Sequence, residues 1–135
     1  MDKIKKVQRY FTRRLPGFQN LSYAQRLKEL QLDSLELRRI VFDLTGVYKM
    51  VMQTSFLCFD TFFEYKLDQR TRGHRFQLRL RRIPRLEICK NFFSYRVVRF
   101  WNSLPEGVVD APSLDIFKKR LKPEMLMAFC RFKYG

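Results

Sequence analysis

Apolar residues recur along most of this chain at helical spacing, and along one short stretch at strand spacing. In KIKKVQRYFTRRL (residues 3–15), Ile4, Val7, Phe11 and Leu15 form one helical stripe, with Lys5, Lys6, Arg9 and Arg13 on the other faces. Pro16-Gly17 ends this helix. Ser22 and Gln25 make a capping-box pattern that opens a short helix to about Leu32, with Leu27 and Leu30 inward. Asp33 with Glu36 predicts a second cap, and the next helix runs from about Ser34 to Gln53. Its buried stripe is Leu37, Ile40, Val41, Leu44, Tyr48 and Val51, and Glu36, Arg38, Arg39, Asp43 and Lys49 line the solvent side. Residues 22–53 thus read as an αα-hairpin.

The aromatic run TSFLCFDTFFEY (residues 54–65) has no helical period and reads as a loop that packs its rings or as a short strand. A turn at RTRGH leads into RFQLRLRR (residues 75–82), where Phe76, Leu78 and Leu80 alternate with Arg75, Gln77, Arg79 and Arg81. That period of two predicts a strand with one greasy and one basic face. RLEIC (residues 85–89) alternates again and supplies the other half of a hairpin within the basic segment 70–90. Asn91 caps a helix from Phe92 to about Ser103 that aligns Phe93, Val97, Trp101 and Leu104, with Arg96 and Arg99 elsewhere. Pro105, Gly107 and Pro112 fix a turn. Ser113 then caps a helix with Leu114, Phe117 and Leu121 inward, and Lys118, Lys119, Arg120 and Lys122 crowd its last turn, where cations suit the helix dipole. Pro123 limits it, and the tail 123–135 is apolar enough to dock. The pattern predicts one mainly helical α+β domain over residues 1–135: a basic helix (1–16), the αα-hairpin, a small antiparallel β-hairpin, a helical pair (91–122) and the tail. Trp101 reads as a core anchor.

Charge changes this picture most. The chain of 135 residues has 28 Lys and Arg against 13 Asp and Glu, a net of +15. The excess is uneven: residues 66–100 hold eleven basic and two acidic residues, whereas 21–65 hold five and six. A localised excess marks a surface for a polyanion, with nucleic acid, an anionic membrane and an acidic protein as the candidate partners. With 46% hydrophobic residues and 14 Phe, the chain can build a packed core. Cys58, Cys89 and Cys130 are too few and too far apart for a disulfide framework, which suggests a reducing, intracellular setting. The charged start at Asp2, Lys3, Lys5 and Lys6 lacks an apolar signal-peptide core, and the longest apolar runs fall well short of a membrane span.

Catalytic constellations are not legible. His74 is the one histidine, far in sequence from every cysteine, so no metal-ligand spacing appears. Gly73 and Gly107 are isolated and form no phosphate-cradling loop. Asp60 and Glu64 read as solvated loop acids without a second carboxylate pair. The reading is no enzyme in this chain, no cofactor, no metal and no small-molecule substrate. The candidate contacts are Arg70, Arg72, Arg75, Arg79, Arg81, Arg82, Arg85, Arg96 and Arg99, with Lys5, Lys6, Arg9 and Arg13 on the first helix. Arginine offers planar, two-pronged donation to phosphate and stacks on bases.

Five blocks, in this order, resemble the C-terminal region of reverse transcriptases of non-LTR retrotransposons of the jockey and CR1-like type: VQRYFTRRLPG (7–17), SYAQRLKELQLDSLELRRI (22–40), TRGH (71–74), NFFSYRVVRFWNSLP (91–105) and SLDIFKKRL (113–121). The resemblance implies a thumb and post-thumb piece of an RNA-directed DNA polymerase that holds a template–primer or target duplex, acting in the nucleus with or after cytoplasmic synthesis. The family's paired palm aspartates match nothing here, since no two acidic residues are adjacent, and its Cys/His knuckle is missing. The implied partners are RNA or DNA backbone and the polymerase core of the same element, with no membrane. A rival reading is a module that braces the polymerase core, for which an exposed apolar stretch at 125–132 would speak. A peripheral membrane role for helix 3–15 is a further one.

Overall fold

The computed structural model describes residues 2–67, 72–81 and 93–132. The protein is α+β and mainly helical, with a two-stranded antiparallel sheet among the described residues. Its elements are α1 (Asp2–Arg13), α2 (Tyr23–Glu29), α3 (Leu35–Val51), α4 (Phe59–Phe62), β1 (Phe63–Tyr65), β2 (Leu78–Leu80), α5 (Phe93–Asn102), α6 (Glu106–Val109), α7 (Leu114–Arg120) and α8 (Pro123–Phe132). The chain divides into two compact units, Met1–Arg38 and Arg39–Gly135.

In the first unit α1 and α2 pack together. Thr12 is buried and returns its hydroxyl to the Gln8 carbonyl at 2.8 Å, while the Tyr23 hydroxyl donates to Gln8 Oε1 at 2.5 Å. The capping box forms as its residues require: Gln25 N donates to Ser22 Oγ at 3.3 Å and Ser22 N donates to Gln25 Oε1 at 2.8 Å. Helix α2 is shorter than its apolar spacing suggests, because Gln31 takes a positive φ of 51° just beyond it. The cap of α3 is Ser34 and not Asp33: Leu37 N donates to Ser34 Oγ at 3.2 Å, and Glu36 is instead ion-paired to Lys5. The apolar stripe of α1 is outward at Ile4, Val7 and Phe11.

The second unit holds most of the buried residues. Trp101, Phe63, Phe117, Leu44, Leu78, Val47, Val97 and Val109 are fully buried. Each such side chain contributes about 1.5–3 kcal/mol by leaving water. Tyr48 stacks on Phe117 with ring centroids 4.4 Å apart, and its hydroxyl donates to the Ala111 carbonyl at 2.6 Å. Burial pushes the Tyr48 hydroxyl above its ordinary value of 10.0, so it stays protonated and able to donate. The stripe predicted for α5 is inward at Val97, Trp101 and Leu104, and Ser113 caps α7 through the Ile116 N–H at 3.3 Å.

Four further expectations need correcting. Asp43 is buried, not solvent-facing, because Arg96 meets it from α5. Residues 106–109 form a turn of helix that buries Val108 and Val109, where the glycine and prolines suggest only a turn. Pro123 starts α8 where it was expected only to limit α7, since proline at a first helical position gives up no bond. Leu126 of α8 is buried, so the stretch 125–132 is docked at that residue and not wholly exposed, while Met127 remains exposed.

The sheet is smaller than the alternation predicts. Strand β2 covers only Leu78–Leu80 and pairs with β1 in the register Phe63↔Leu80, Glu64↔Arg79, Tyr65↔Leu78. Arg75 and Phe76 lie in a turn before it, so Arg75 does not share the strand face with Arg79. The aromatic run therefore supplies a strand, and the proposed partner at 85–89 lies outside the described residues. Gly73 has φ +149°, and a Cβ there would run into the Gln77 amide, which donates to the Arg72 carbonyl at 3.2 Å.

Candidate nucleic-acid interface

The arginine-bearing turn and strand are held by the end of α5. His74 Nε2 meets the Trp101 carbonyl at 2.9 Å, which makes Nε2 the protonated nitrogen of that bond. Trp101 Nε1 donates to the Phe76 carbonyl at 2.9 Å. The Asn102 amide binds Leu78 as a strand would, accepting from its N–H at 2.7 Å and donating to its carbonyl at 2.7 Å. Four bonds, made by two side chains and one carbonyl of α5, thus clasp residues 74–78 from one side, while Lys66 N donates to the Gln77 carbonyl at 2.9 Å from the other. The clasp satisfies buried backbone groups that the short sheet leaves open. It also fastens His74, Phe76 and Leu78 to the last two residues of α5, Trp101 and Asn102. Periodicity marks Trp101 only as a core anchor and gives Asn102 no role. An asparagine beside a buried tryptophan at a helix end was the available signal.

Beyond the clasp the arginines point into solvent, but they do not stand unopposed. Arg75 Nη2 lies 2.5 Å from Asp110 Oδ1, Arg79 Nη2 lies 2.8 Å from Glu64 Oε2, and Arg81 Nε lies 3.9 Å from Glu64 Oε1. Arg81 Nη1 also donates to the Asp60 carbonyl at 2.7 Å. The expected bare basic face is therefore a lattice of exposed pairs, and Glu64, read from sequence as a solvated loop acid, sits directly across the ladder from Arg79. The side chains of Arg75, Arg79 and Arg81 remain 57%, 54% and 59% exposed, so a competing anion can reach each of them. Glu64, Arg79, Leu80 and Arg81 line an open pocket of about 550 Å³.

Aromatic rings border this region. Phe59 stacks on Tyr65 at 4.6 Å, and the Arg75 guanidinium lies 4.8 Å from the Phe76 ring centre. Burial, and then the charge of Asp60, raise the Tyr65 hydroxyl above its ordinary value.

The remaining candidates separate. Arg96 is turned inward: its Nε and Nη2 both donate to Asp43 Oδ2, at 3.0 and 2.8 Å, with the side chains 15% and 7% exposed. It is a packing arginine and not a surface contact. Lys5 is mostly buried against Glu36. Arg72 and Arg99 are exposed, as are Lys6, Arg9 and Arg13 of α1, with Arg9 5.0 Å from the Tyr23 ring centre. Arg70, Arg82 and Arg85 lie outside the described residues. Lys118, Lys119 and Lys122 are exposed together at the end of α7. In the sequence they are accounted for by the helix dipole and do not stand out as contacts. Among the described residues, no group of three or more His, Cys, Asp or Glu is placed to hold a metal ion, and no helix is long and apolar enough to cross a membrane.

No protein-family model, curated protein or solved structure matches the chain.

Proposed function

We propose that this chain binds the phosphate backbone of nucleic acid without catalysing, as the C-terminal, thumb and post-thumb part of a non-LTR retrotransposon reverse transcriptase. The observation that carries the reading is the charge balance: were all 13 carboxylate side chains paired one to one, an excess of +15 would still stand. Local ion pairs redistribute that excess and cannot cancel it. A mixed-sign surface needs no such surplus for solubility. The exposed arginines at 75, 79 and 81 offer anion-binding groups on a clasped, pre-ordered segment, which lowers the ordering cost of binding.

Binding of this kind neutralises about five to eight phosphates, so the log–log dependence of affinity on salt should have a slope of about −4 to −7. Fluorescence anisotropy of labelled RNA and duplex DNA across a salt series measures it. No binding at micromolar protein and physiological salt would defeat the reading. It would favour the second one, a module that braces a polymerase core, for which the outward apolar stripe of Ile4, Val7 and Phe11 speaks.

A further inference from the structure

We infer that Glu64 is a built-in competitor for the phosphate site: in the free protein its carboxylate occupies the place between Arg79 and Arg81 that a backbone phosphate takes on binding. This rests on the nucleic-acid reading above and adds a regulated site to it. The geometry is that of an anion already seated. Arg79 presents Nε and Nη2 to Glu64 Oε2 at 2.9 and 2.8 Å, and Arg81 approaches the second oxygen, Oε1, at 3.9 Å. A carboxylate and a phosphodiester both present two oxygens and one negative charge to a guanidinium fork. Either anion answers the same donors.

Three features make the carboxylate displaceable. Glu64 and Arg79 face each other across a two-stranded sheet with 40% and 54% of their side chains exposed, and such surface pairs hold weakly. Arg81 is oriented independently of Glu64 by the Asp60 carbonyl, which leaves its charge uncompensated when the carboxylate leaves. The pocket of about 550 Å³ that Glu64, Arg79, Leu80 and Arg81 line is open to solvent, so an incoming anion can reach these groups. Exchange is then a swap of one anion for another, with Glu64 swinging into water. The clasped backbone need not move.

The test is Glu64→Gln against Glu106→Gln, which makes the same charge change at an exposed position on α6, outside the strands. Anisotropy with labelled single-stranded RNA and with duplex DNA is read at one fixed salt concentration. Glu64→Gln should bind about three- to tenfold tighter than the native protein, and Glu106→Gln less than about twofold tighter. Adding Arg79→Gln to Glu64→Gln should abolish the gain. If the native protein binds and the two single variants match each other, Glu64 is not the competitor, while the nucleic-acid reading survives. If no version of the protein binds, both readings fall together.

Discussion

Arg96 and Arg79 each set two guanidinium nitrogens on one carboxylate oxygen, yet the two pairs serve different ends. Arg96 meets Asp43 between α5 and α3, where little of either side chain reaches water. Arg79 meets Glu64 on the outer face of the sheet, where about half of each does. The contact distance is 2.8 Å in both places, but the dielectric around the pair and the desolvation already suffered are not the same. The inner pair has already given up most of its hydration, so removing one partner weakens a charge contact that water cannot readily replace. The outer pair has water as a standing alternative, so its carboxylate can be exchanged. Chemistry alone does not tell a structural arginine from a binding one; burial does.

The contrast is sharpest if the inner pair is broken first. Asp43→Asn should cost about 3 kcal/mol of unfolding free energy, because it replaces with a neutral amide the buried carboxylate that two Arg96 nitrogens meet. Urea denaturation checks this, and a loss below about 1 kcal/mol would mean that water reaches the pair. Asn102→Ala should come next, at about 2 kcal/mol, since it leaves both the N–H and the carbonyl of Leu78 short of partners. It should also raise hydrogen exchange at residues 74–80, while the exchange of α3 keeps its native rank. Glu64→Gln should lie last, at less than about 1 kcal/mol, for an exposed pair. A larger loss would place Glu64 with Asp43 as a structural acid and remove the distinction between the two pairs.

The sequence predicted the helices well where one periodic stripe met one core. Val97 and Trp101 on α5 with Leu104 just beyond it, and Phe117 on α7 with Leu121 just beyond it, are inward as their spacing requires. It failed where polar partners come from far along the chain. Asp43 reads as a solvent residue on a helix wheel until Arg96, 53 residues on, is placed against it. Asn102 carries no periodic signal, because its partners are the backbone groups of Leu78 and not an apolar face. The arginine strand was legible as an alternation at Leu78–Leu80, but its length was overread. Phe76 fits the alternation while its backbone is turned and fastened by Trp101. Similarly, the one-to-one facing of Glu64 and Arg79 depends on a register that neither segment reveals alone.

The outward stripe of α1 sets how the protein behaves as a colloid. Ile4, Val7 and Phe11 are sticky positions on a molecule whose surplus of +15 keeps copies apart. Concentrated electrolyte shortens the reach of that repulsion to a few ångströms and leaves the oily contacts untouched. The same salt that frees the protein from a polyanion should therefore promote its clumping, so purification has to pass between those two regimes.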